Sequence, residues 1–223
     1  MNTNPTAKTI LCYGDSNTWG QKPDKTGRFP ADTRWTGLLQ KALGQDFYVI
    51  EEGLSSRTTD LDYSRKLGRN GKTYLEPCLD SHMPLNVVIL MLGTNDLKIE
   101  FNRSPQDIAS AIEELIAIIQ SKTAKDRHDP ARIILVSPIY VDDQASTFTK
   151  FYVPDFYNHE SALKSQALSD ELQKVATGAG CSFVDAAKIA HAGEDGIHFS
   201  QEAHAALAKA LIEEARTLAE AKG

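Results

Sequence analysis

Apolar residues along this chain follow two spacings. Short unbroken runs at 10–13, 47–50, 86–92, 132–136 and 181–184 predict strands covered on both faces. Between them the spacing turns helical. Trp35, Leu38, Leu39, Ala42 and Leu43 share one face of a helix that Asp32 or Thr33 would cap and Gly44 would end. A short helix is expected around 74–82, with Pro77 tolerated near its first turn. Ser104, Pro105 and Asp107 mark a helix start, and Ile108, Ile112, Leu115, Ile116 and Ile119 carry its buried stripe. A helix over 158–177 ends at Gly178, and a last one, capped by Ser200, turns Ala203, Leu207, Leu211, Ala215 and Leu218 inward. Strand and helix thus alternate about five times, which predicts a parallel sheet with helices on both faces. The expected fold class is α/β: a three-layer α/β/α sandwich on a five-stranded parallel sheet in the flavodoxin-like order 2-1-3-4-5.

Polar clusters follow several of these strands. The first strand breaks at Gly14-Asp15-Ser16, where open α/β sheets bind ligands. Ser16 reads either as a nucleophile or as a turn serine capping the next helix. The second strand leads into residues 51–59, a polar turn segment that includes Ser56, and the third stops at Gly93-Thr94-Asn95-Asp96. Glu194 to His198 occupy the loop before the last helix, and 21–31, 60–72 and 121–130 read as exposed loops. Residues 140–157 are irregular but hold Tyr140, Phe148, Phe151, Tyr152, Phe156 and Tyr157. So much ring surface requires cover, either as a lid over Ser16 or as a subunit interface.

Together these segments supply what acyl transfer requires. A serine hydroxyl is a weak nucleophile without a neighbouring base. His198 is the candidate base, and Asp195, three residues earlier, can hold its other ring nitrogen. The Asn95 amide and the backbone N–H groups of Ser16 and Ser56 are candidate oxyanion donors. The plainer reading makes Asp195 and His198 turn residues before a helix. Asp185 reads as a turn or cap residue, and His82, His128, His159, His191 and His204 as surface or packing residues. No pair of histidines or carboxylates has metal-ligand spacing, and no glycine-rich phosphate loop is present, so neither metal nor cofactor is expected.

Composition narrows the partners. With 223 residues, 41% hydrophobic and 24% charged, the chain is expected to form one globular domain over 1–223. A net charge of −6 without a basic stripe argues against nucleic acid. Three cysteines, an odd number, read as reduced and mostly buried, as in a cytoplasmic protein. The polar start lacks the layout of a signal peptide and no run reaches membrane-spanning length, so no membrane partner is expected.

Gly14-Asp15-Ser16, Gly93-x-Asn95-Asp96 and Asp195-x-x-His198, in this order, resemble the SGNH (GDSL-type) hydrolases over about residues 7–221. That resemblance implies a metal-free serine esterase or acyltransferase with Ser16 as nucleophile, His198 as base and Asp195 as orienting acid. It also implies an oxyanion hole lined by Ser16, Ser56 and Asn95. The family usually has glycine where Ser56 stands, which leaves Gly53 as a rival donor. Tyr13 to Gly20, Arg34-Trp35, 51–59 and 91–96 are closest to the bacterial arylesterase/acyltransferase branch. This branch implies short-chain or aryl esters as small-molecule substrates, transfer to alcohols or peroxide, and a homo-oligomer. A carbohydrate acetylesterase of the same family is the alternative, and a flavodoxin-like anion-binding module is the non-enzyme alternative.

Overall fold

The computed structural model describes residues 2–124 and 129–221, so His128 and part of the 121–130 loop lie outside the described residues. Five parallel strands form one sheet in the order β2-β1-β3-β4-β5, as the alternation predicts. They are β1 (Lys8–Gly14), β2 (Phe47–Gly53), β3 (Val87–Met91), β4 (Arg132–Ser137) and β5 (Ser182–Asp185). Seven α-helices are described: α1 (Ser16–Trp19), α2 (Trp35–Leu43), α3 (Gly71–His82), α4 (Pro105–Thr123), α5 (Phe148–Tyr152), α6 (His159–Gly178) and α7 (Gln201–Glu220).

Strand periodicity divides the core into two layers. Leu11 and Tyr13 of β1 pack with Leu75 and Leu79 of α3, Ile112 and Leu115 of α4, and Leu168 and Leu172 of α6. Ile10 and Cys12 face the other way, against Leu39 of α2 and Leu207 and Leu211 of α7. All five β3 residues are buried, because the central strand has helices on both faces. The register Gly14↔Gly53 and Gly14↔Met91 levels the ends of β1, β2 and β3. Whatever follows these three strands is thereby brought together at one edge.

Local chemistry explains most boundaries. Ser104 accepts from the Asp107 N–H while the Asp107 carboxylate accepts from the Ser104 N–H, with Pro105 in the first turn of α4. Ser200 caps α7 through the Ala203 N–H. Three expectations need correction. The cap position of α2 is Arg34, not Asp32 or Thr33, and it makes no side-chain cap bond; its guanidinium instead pairs with Glu51 at 2.6 Å. Helix α3 begins at Gly71 under an Asn70 cap, so Pro77 lies in its interior rather than its first turn. Its polar opening, Gly71-Lys72-Thr73, hides it from a hydrophobic pattern. Lastly, 60–72 is not wholly surface: Tyr63 is buried beside the ring of Phe101, 5.7 Å between centroids.

Candidate active site

Ser16 opens α1 immediately after the Asp15 turn. The Asp15 carboxylate caps that short helix by accepting from the Asn17 N–H at 2.9 Å. Gly20 closes it with φ +88°, a left-handed conformation that glycine adopts without penalty. The reading of Ser16 as the helix cap is thereby corrected: Ser16 begins the helix, while Asp15 supplies the cap and leaves the Ser16 hydroxyl free.

The loop before α7 folds back onto this hydroxyl. His198 Nε2 lies 2.9 Å from Ser16 Oγ, and His198 Nδ1 lies 2.6 Å from Asp195 Oδ2. The second oxygen, Asp195 Oδ1, accepts from the Ile197 and His198 N–H groups at 3.0 and 2.9 Å. Those bonds fix carboxylate and imidazole within one turn. Burial pushes the Asp195 pKa up, but the bond and charge of His198 and the nearby Lys25 more than offset it, and the carboxyl stays well below the usual range. With Asp195 ionised, His198 Nδ1–H donates to it and Nε2 accepts from Ser16. Burial also lowers the His198 pKa; Asp195 pulls it back up while Lys25 and Lys98 push it down.

Asn17, one residue after Ser16, staples the two segments together. Its Nδ2–H donates to Ile197 O at 3.1 Å and its Oδ1 accepts from the Phe199 N–H at 2.9 Å, bracketing His198 on both sides.

Asn95 and Ser56 reach the same cavity as Ser16 and His198. Asn95 Nδ2 donates one hydrogen to Asp15 Oδ2 at 3.2 Å, leaving the other for a ligand, while its Oδ1 accepts from the Lys98 ammonium at 2.7 Å. Ser56 has φ +71°, the region that favours glycine, which explains why a glycine pattern fits this position. Gly53 is not among the residues around the cavity. It ends β2 where a Cβ would lie 2.2 Å from the Trp19 N, so its bareness serves the close approach of α1. Asp96 ties the two turns together by accepting from the Thr59 N–H at 3.0 Å and its hydroxyl at 2.5 Å. The aromatic segment contributes Tyr152, Phe156 and Tyr157 to the cavity wall. It is anchored to the His198 loop through Asp142 N–H to Gly196 O, and to the Asn95 turn through Tyr157 OH to Thr94 O.

Two neighbours of the Ser16 centre carry no motif. Lys25, in the loop after α1, donates to Asp195 Oδ2 at 2.6 Å and bonds the hydroxyl of Tyr152, which itself donates to Asp195 Oδ2 at 2.8 Å. In the sequence nothing separates Lys25 from any lysine of a polar loop. One cluster falls outside the spacing rule for pairs of histidines or carboxylates: Glu52, Cys78 and His82 bring ligand atoms within 4.8 Å of one another. They escaped notice because Glu52 comes from β2 and the other two from α3. None borders the Ser16 cavity. Glu52 is already bonded to His82 at 2.8 Å, and burial pushes the Cys78 thiol up to about 12. His204 is a packing residue as expected, buried against Phe29 and Phe199.

A serine hydroxyl touching a carboxylate-backed imidazole, at the carboxyl edge of a parallel sheet, is the arrangement expected of an acyl hydrolase. The GDSL-like Lipase/Acylhydrolase family profile matches residues 12–206, and the chain belongs to that family. Among solved structures, the M. smegmatis aryl esterase is 37% identical, with 95% of this chain and 100% of that one covered and a TM-score of 0.85. A carbohydrate acetylesterase from Sinorhizobium meliloti is 33% identical over 95% of this chain and 99% of that one, TM-score 0.84. A carbohydrate acetylesterase family member from the same organism is 31% identical over 96% and 100%, TM-score 0.86. No protein with a curated description matches. The chain is thus an esterase of the SGNH type, and none of its described helices is long and apolar enough to cross a membrane.

Proposed function

We propose that the protein hydrolyses short-chain or aryl carboxylic esters through an acyl-enzyme on Ser16. The relay of 2.9 and 2.6 Å from Ser16 through His198 to Asp195 carries this reading. In it, His198 Nε2 takes the Ser16 proton as Oγ attacks the ester carbonyl. Asp195 holds the ring and stabilises the imidazolium. The oxyanion meets the free hydrogen of Asn95 and the backbone N–H groups of Ser16 and Ser56, each such donor contributing roughly 10²–10³ in rate. His198 then gives its proton to the departing alcohol, and water repeats the sequence on the acyl-serine. An alcohol or peroxide entering in place of water would give acyl transfer, read as competing products. The cavity, about 320 Å³, is at the small end for ligand sites and suits compact esters.

The test is a fluorophosphonate adduct mapped by mass spectrometry, together with turnover of 4-nitrophenyl acetate. The adduct is expected on Ser16, and Ser16→Ala is expected to abolish turnover. Retention of wild-type turnover by that variant would sink the reading, and no adduct at all would favour an anion-binding module. The acetylesterase neighbours support a second reading, deacetylation of carbohydrates. Faster release of acetate from acetylated xylan than from phenyl acetate would favour it.

A further inference from the structure

Resting on that esterase reading, the charge bordering the cavity points to its substrate. Among the described residues, Lys25, Arg65, Lys66 and Lys98 all border the space in front of Ser16, and no aspartate or glutamate does. Lys25 is neutralised by Asp195. Arg65 lies at 3.7 Å from Glu100 and is half exposed, and Lys66 only approaches the Ser56 hydroxyl at 3.4 Å. Lys98 is the telling one. It is 5% exposed, its ammonium donates to Asn95 Oδ1 at 2.7 Å and sits 4.3 Å from the Tyr63 ring centre, and it has no ion-pair partner among the described residues. Burial lowers its pKa to about 8, so it remains charged at neutral pH. Glu100, Asp15 and Asp96 favour its charge without touching the ammonium, and an ammonium has three hydrogens to donate. One is used.

We infer that the preferred ester carries a carboxylate, which Lys98 receives inside the cavity with Arg65 and Lys66 at its mouth. Lys98 is bonded to the residue offered to the oxyanion, so the carboxylate lies only a few atoms from the reacting carbonyl. It can belong to the acyl chain or to the alcohol, and the same three cations serve either.

Two matched pairs separate these sources. Monophenyl succinate against methyl phenyl succinate places the charge on the acyl side, and 4-acetoxybenzoate against its methyl ester places it on the alcohol side. With uncatalysed hydrolysis subtracted, the free acid is expected to exceed its methyl ester at least tenfold in kcat/KM in one pair, mainly through KM. That ratio, taken within each variant, is expected to fall at least fivefold in Arg65→Gln/Lys66→Gln and in Lys98→Met. Ratios below tenfold in both pairs, with the methyl esters turned over, overturn the inference and leave the esterase reading intact. A preference that survives both variants overturns the assignment to these residues, since a lysine that merely positions Asn95 would not sense substrate charge. Turnover of none of the four esters defeats both readings.

Discussion

In the proposed mechanism His198 can act as a base only while its Nε2 is unprotonated, so its environment would set the acid limit of activity. Burial depresses its pKa below the ordinary 6.5, with Asp195 opposing and Lys25 assisting. The sign follows directly: kcat/KM rises with pH through the His198 pKa, and its midpoint is expected below pH 6.5. Lys25→Met removes a positive charge that lies 3.2 Å from Nδ1, so protonating the ring becomes easier and the midpoint moves to higher pH. A pH profile of 4-nitrophenyl acetate hydrolysis checks this, and an unmoved or lower midpoint would contradict it. That Ser16, Asp195 and His198 come together was legible because a candidate nucleophile, base and orienting acid are distinctive residue types at recognisable places. Lys25, Tyr152 and Asn17 were not. Lys25 and Tyr152 reach Asp195 across 170 and 43 positions, and Asn17 reaches Ile197 across 180, using side chains that serve equally well in any exposed loop.

At the level of elements, the turn after β2 places a serine where the backbone conformation favours glycine. Ser56 holds φ +71°, which costs an ordinary L-residue roughly 1–2 kcal/mol, whereas glycine adopts it freely at an unfolded-state entropy cost of about 0.4–1 kcal/mol. The difference favours glycine, so Ser56→Gly is expected to raise stability by up to about 1.6 kcal/mol. Because the candidate donor is the backbone N–H, 4-nitrophenyl acetate turnover should persist in this variant. A lowered melting temperature, or loss of turnover with the fold retained, would mean that the serine side chain itself is required. The order of the five strands and of α2, α3, α4, α6 and α7 was readable, since burial on both faces imposes unbroken apolar runs and burial on one imposes the helical stripe; the short helices α1 and α5 were not, α5 lying in a segment read as irregular. Boundaries failed where polar atoms set them. Asn70 begins α3 ahead of its apolar residues, and β2 runs on to Gly53 through Glu51 and Glu52 because sheet pairing continues there.

Over the whole molecule, topology follows from alternation, but the distribution of charge does not follow from the net value of −6. The chain carries more carboxylates than cations, while among the described residues the lysines and arginine bordering the cavity face no aspartate or glutamate in its wall, so an approaching anion meets two opposed fields. Their ranges differ, and screening separates them. At about 0.01 M salt the Debye length is about 30 Å, larger than the molecule's radius of gyration of roughly 17 Å, so the net negative charge is felt. At about 0.1 M it is about 10 Å: distant carboxylates are screened, but a docked carboxylate still lies close to Lys98, Arg65 and Lys66. By about 1 M it is about 3 Å, and the contribution of the exposed pair Arg65 and Lys66 fades as well. For a carboxylate-bearing ester, kcat/KM is therefore expected to rise from the lowest salt to about 0.1 M and then to fall several-fold towards about 1 M. Its methyl ester, feeling neither field, should vary little across the same series. A continuous rise for the charged ester would mean that the net charge governs approach and that the cavity cations contribute nothing to recognition.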